Sequence, residues 1–141
     1  MQFDPNNKIV KLCADGMTAE GQGQTETAFK LFQQAWDEAT DDFEKFTAAH
    51  YVARHQKSAA EKLKWDETCL QLALRLNDET MKGSYPSLYL NIGKCYEDLN
   101  DIDHAKKNYK LALSFSNFLT DDGYGKMIKS GIVNGIERVS Q

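Results

Sequence analysis

The chain has 141 residues, 41% hydrophobic and 27% charged, a balance that fits one globular domain and excludes disordered, collagen-like and low-complexity chains. Seventeen Lys and Arg against twenty-one Asp and Glu leave a net charge of −4, so the basic field behind generic nucleic-acid binding is missing. Only two prolines occur, Pro5 and Pro86, and the long stretch between them, free of the strongest helix breaker, favours helices over a turn-rich β fold.

Asp4 and Pro5 read as an N-cap and first-turn pair, followed by Ile9, Val10, Leu12 and Cys13 at helical spacing, which predicts a first helix from Pro5 to about Glu20. Gly21 to Gln24 break the pattern. Thr25 is the expected cap of a second helix with Ala28, Leu31, Phe32, Ala35 and Trp36 on one face. Asp41 and Asp42 close it and open a third segment, Phe43 to Lys57. A fourth, from about Ala60, carries Leu63, Leu70, Ala73, Leu74 and Leu76 and stops at Asn77 and Asp78. The stretch from Asp78 to Pro86 is the most turn-like, with Gly83, Ser84 and a Tyr85-Pro86 step that disfavours helix at Tyr85. Ser84 or Tyr85 then caps a fifth helix, Pro86 to Leu99. Asn100 and Asp101 turn the chain into a sixth through Phe115, and Thr120 to Asp122 open a seventh whose apolar face is Tyr124, Met127, Ile128, Ile132, Ile136 and Val139. Seven helices and no strand are predicted.

Paired helices call for a search for internal repeats. Phe32, Leu70 and Tyr109, each followed three residues later by Ala35, Ala73 and Ala112, are separated by 38 and 39 residues, as are Gly16, Arg54 and Gly93. In the clearest unit Tyr89, Ile92, Gly93 and Tyr96 are followed by Ala105, Tyr109 and Ala112, and here the chain resembles the tetratricopeptide repeat family, in its longer-repeat variant. Leu12, Gly16, Ala28, Phe32 and Ala35 carry the likeness in the first unit; Ala53, Leu70 and Ala73 carry a weaker one in the middle.

The resemblance implies one all-α domain over residues 1–141, an α-α superhelix of three helix pairs at about 9–42, 47–80 and 86–119. A capping helix at about 121–139 would turn its polar residues, Lys126, Lys129, Asn134, Glu137 and Arg138, to solvent.

Catalytic signatures are missing: there is no HExxH, P-loop, GxGxxG or GxSxG. His50 and His55, five apart, fall on different helical faces and do not make a metal pair. Paired carboxylates such as Asp41-Asp42 and Asp121-Asp122 fit helix ends, where they cap or complement the dipole. No catalytic residue, metal or cofactor is therefore expected. Cys13, Cys69 and Cys95, odd in number and without CxxC, predict reduced thiols. With no apolar core in Met1 to Lys11 and no run near the ~18 residues of a span, a cytoplasmic protein without membrane contact is expected.

By the resemblance, a partner peptide or helix lies in a concave groove lined by the first helix of each pair. Carried over, the lining is Val10, Cys13 and Met17, then Tyr51 and His55, then Leu90, Asn91, Lys94 and Glu97. One subclass of the family grips a carboxylate tail with Lys, Asn and Arg. The corresponding places here hold Cys13, Met17, Val52, Ser87 and Asn91, which argues against that ligand. The expectation is a non-catalytic adaptor, with Tyr51, His55 and Leu90 as anchors and Lys94 or Glu97 setting register. A homodimer through the groove or end helix is the alternative; a small-ligand or enzymatic site at Cys13, Tyr51 and His55 is a weaker one.

Overall fold

The computed structural model describes residues 4–141. The fold is an all-α superhelix of helical hairpins, with no strand among the described residues. Helices α1 (Lys8–Gly21) and α2 (Thr25–Glu38) form the first hairpin, and α3 (Asp42–Arg54) and α4 (Ala59–Leu76) the second. The one-turn α5 (Glu79–Lys82) leads to the third, α6 (Tyr85–Asp98) and α7 (Ile102–Ser114). A 3-10 turn at Ser116–Phe118 precedes α8 (Gly123–Val139), which lies across α6 and α7.

Side-chain chemistry at the helix starts explains most boundaries and shifts three of the expected ones. The first helix begins later than Pro5 because Asp4 and Asn7 close a turn (Asn7 N–H to Asp4 C=O, 2.9 Å), after which the Asn7 side chain accepts from the Ile9 and Val10 amides. Thr25 is the first residue of α2 and not its cap; Gln24 occupies the cap position without a side-chain bond. The turn-like stretch after Asp78 contains α5, since the Asp78 carboxylate accepts from the Thr80 amide. Asp41, Ser58, Asp101 and Asp122 cap α3, α4, α7 and α8 through their side chains. Ser84 precedes α6 without such a bond, and Pro86 sits in its first turn, where a missing N–H costs nothing.

The caps also correct the repeat spacing. Asn7, Asp41 and Ser84 stand 34 and 43 residues apart, and so do Gln24, Ser58 and Asp101. The even intervals of 38 and 39 therefore place the middle hairpin one helical turn too late: it occupies Asp42–Leu76, and His50, not Arg54, is the counterpart of Gly16 and Gly93. The excess length is concentrated after it, in the 18-residue α4 and in α5.

Packing follows the corrected register. Gly16 lies under the ring of Phe32, and a Cβ at Gly93 would come within 2.8 Å of the Tyr109 ring. In the middle hairpin the corresponding positions are His50 and Asp66. Asp66 is 3% exposed, receives Lys62 Nζ at 2.6 Å and the Cys95 thiol at 3.5 Å, and acts on the charge of His50. Where its neighbours have a glycine and a ring, the middle hairpin has an imidazole and a carboxylate that pairs with the partly exposed Lys62 of its own helix, and this is why it reads weakly as a repeat.

Burial passes from hairpin to hairpin. Ile9, Cys13, Ala28, Phe32, Ala48 and Val52 form a cluster across α1, α2 and α3, and Phe46, Cys69, Leu72, Leu88 and Ile92 form the next across α3, α4 and α6. Trp36 and Trp65 meet edge to face at 5.0 Å and belong to both. Ile128 and Ile132 of α8 pack with Ala112, and Val139 of α8 with Tyr109. Each layer buries the face its neighbour cannot bury alone.

Candidate functional site

The first helices of the hairpins share one face of the superhelix. α1 packs along α3 and α6 along α8, while α3 and α6 make no comparably extensive contact. Two adjoining hollows follow. One, of about 290 Å³, is lined by Val10, Cys13, Ala14 and Met17 of α1 and by Thr47 and Tyr51 of α3. The other, of about 190 Å³, runs between α3 and α6, past Phe46, Thr47, His50, Tyr51, Ser87 and Leu88, and ends at Tyr124 of α8. Thr47 and Tyr51 are common to both. The walls carry hydroxyls, aromatic rings, a thioether and one imidazole, and no carboxylate or ammonium lines either hollow.

Tyr51 is the fixed point of this surface. Its ring stacks on Phe32 at 4.9 Å, the Arg54 guanidinium sits 4.8 Å from its centroid, and the His50 ring meets it edge on at 5.4 Å. Burial raises the pKa of its phenol, so the hydroxyl is a neutral donor and acceptor. Burial, followed by the Arg54 charge, pushes the His50 imidazole below its ordinary range and keeps it neutral. Met17, 42% exposed, offers a flexible apolar contact one turn along α1 from Cys13.

The other expected lining residues are placed differently. Cys13 is buried, and burial pushes its thiol up to about 11, so it has no thiolate character and contributes only wall. His55 ends α3, bonds Glu20 through Nε2 at 2.7 Å beside the Arg54–Glu20 pair, and lines a separate hollow with Phe29, Lys30 and Glu61. Leu90 packs beneath α8, where a Cβ on Gly131 would stand 3.1 Å from its Cδ2. Glu97 accepts from Arg138 Nε at 2.9 Å and from the Tyr109 hydroxyl at 2.6 Å. Lys94 is exposed and paired with Asp98 at 2.6 Å, and Asn91 is half-buried and lines neither hollow. Tyr51, Met17 and Cys13 thus come together; His55, Leu90 and Glu97 are engaged by other parts of the chain.

Thr47, His50 and Tyr124 were missed as lining residues, and Ser87 was placed in the groove only as a counterpart of the carboxylate-gripping positions. Spacing of 34 residues carries Cys13 to Thr47 and Met17 to Tyr51, and a further 43 carries them to Leu90 and Lys94; the averaged interval hides this. Cys13, Tyr51 and His55 do not converge on one cavity. Among the described residues, no group of three or more His, Cys, Asp or Glu could hold a metal ion, and no helix is long and apolar enough to cross a membrane.

The tetratricopeptide repeat family model matches residues 86–117, which run from Pro86 in the first turn of α6 through α7. No curated protein and no solved structure matches the chain. Gly93 beneath Tyr109, Ala105 and Ala112 fully buried, and the hairpin that carries them lie inside the matched segment. The match makes the third hairpin similar to a tetratricopeptide repeat, a motif of protein–protein interaction modules.

Proposed function

We propose that this protein is a non-catalytic adaptor that holds a peptide or helix of a partner in the groove formed by α1, α3 and α6. The observation that carries the reading is the uncharged surface shared by the two hollows, with Tyr51 at its centre and exposed Met17 at its edge. Rigid aromatic anchors in a preformed hollow supply most of the energy in such contacts. A partner helix with apolar residues on one face would seat against Met17, Tyr51 and Tyr124, with Thr47, Ser87 and His50 pairing its polar groups. Lys94, and Asn91 beside it, lie beyond this surface on α6 and would meet only a longer ligand. The three unbridged buried thiols support a reducing, cytoplasmic setting.

Affinity capture of partners by the intact chain, repeated with Met17→Asp and Tyr51→Ala, tests the reading. Each substitution is expected to weaken capture roughly tenfold or more. Met17 is exposed, so its replacement leaves the fold intact, and undiminished capture by Met17→Asp refutes the groove assignment.

A homodimer through α8 is the second reading, favoured by Tyr124 and Met127, which are 52% and 62% exposed and lie one turn apart. Light scattering across a concentration series decides it. A mass that doubles with concentration, and stays monomeric in Met127→Glu, supports the dimer; a constant monomer mass rejects it.

A further inference from the structure

The opposite side of the superhelix carries a larger groove of different chemistry. It runs between α4 and α7, with α6 beneath, and has a volume of about 830 Å³. Trp36, Leu70, Leu72, Ile92, Tyr96 and Leu111 supply its apolar surface. Lys45 enters from α3, Lys64 and Arg75 from α4, and Lys107 from α7, and the sole carboxylate residue lining the groove is Glu67. Four cations against one carboxylate is the reverse of the whole chain, whose net charge is −4.

The cations differ in engagement. Arg75 is held by Asp42 at 2.9 Å, and Glu67 accepts from the Tyr96 hydroxyl at 3.1 Å. Lys45, Lys64 and Lys107 have no ion-pair partner among the described residues. Three unpaired ammonium groups around an apolar floor form a surface with unmet demand for negative charge.

We propose that this outer groove is a second docking site, separate from the concave one, for an acidic segment of a partner protein that carries apolar side chains between its carboxylates. The apolar side chains would cover the partly exposed Trp36 and Leu111 while the carboxylates reach Lys45, Lys64 and Lys107. A nucleic acid fits less well. Base stacking needs free aromatic faces, whereas Trp36 is packed edge to face against Trp65 and Tyr96 is stacked on His104 at 5.0 Å.

The test is fluorescence polarisation of a fluorescein-labelled peptide alternating glutamate and leucine, titrated with the full chain. Saturable binding that weakens as salt is added is expected. The double charge reversal Lys64→Glu with Lys107→Glu should weaken it roughly tenfold or more, the neutral pair Lys64→Gln with Lys107→Gln should weaken it less, and Met17→Asp in the concave groove should leave it unchanged. Circular dichroism of the variants, unaltered because both lysines are exposed, separates lost binding from lost fold. Failure of the wild-type chain to bind the peptide overturns the proposal. So does binding that survives charge reversal or is abolished by Met17→Asp, and so does tighter binding of an oligouridylate than of the peptide.

Discussion

Tyr109 of α7 is held from two other helices at once, α6 and α8. Its ring lies between Gly93 of α6 and Gly135 of α8, where added Cβ atoms would come within 2.8 and 2.7 Å of it, and its hydroxyl donates to Glu97, which also receives Arg138 from α8. Neither glycine has room for a side chain, so Gly93→Val is expected to cost about 1–3 kcal/mol by overpacking, read as a lower midpoint in urea unfolding. Glu97 is poised by charge. Arg138, then Tyr109, holds its carboxyl below the usual glutamate value of 4.5, so its contribution to stability is present above that value and lost as pH falls through the lower folded one. Glu97→Gln should therefore be less stable at neutral pH and show a shallower loss on acidification. His50 acts in the same direction. Its folded pKa lies below the free value of 6.5, so the stability of its neutral form declines as pH falls through the folded value. Gly93 and Tyr109 were legible in the sequence because close approach needs a glycine opposite a ring at fixed spacing. The tie from Glu97 to Arg138 was not, since 41 residues separate them and only tertiary packing brings them together.

At the scale of elements, caps and breakers were the readable signals, and they failed where a polar residue had two options. Asp4 closes a turn instead of starting a helix because Asn7, three residues on, caps α1 with two amide bonds. Asp78 nucleates α5 inside a stretch whose glycine, serine and proline suggest only a loop. The end of α4 is sharper: Asn77 adopts left-handed backbone at φ 44° and returns its amide to the Ala73 carbonyl at 3.2 Å. That conformation suits Asn or Gly and opposes a β-branched residue. Asn77→Gly is expected to preserve stability and Asn77→Val to lose about 1–2 kcal/mol, measured by thermal unfolding. The cap α8 takes the place of a further first helix, covering Leu90, which the family's groove pattern would leave open to a ligand.

Across the whole molecule, helix content and hairpin order were legible because apolar periodicity and short polar connections are local properties. Register was not. Gly16 and Gly93 are 77 residues apart, and dividing that distance evenly conceals the inserted turn of α4 and the whole of α5. The insertion accompanies the open line between α3 and α6, where the smaller of the two hollows lies. Net charge was equally silent, since an acidic average coexists with a basic outer groove. The concave surface is tested most directly by placing a photo-crosslinking amino acid singly at Met17, Tyr51 and Leu113, the last exposed on α7 and lining neither groove. The same partner crosslinked from positions 17 and 51 but not from 113 is the expected result. Equal crosslinking at all three, or a partner captured from 113 alone, contradicts a partner held between α1, α3 and α6.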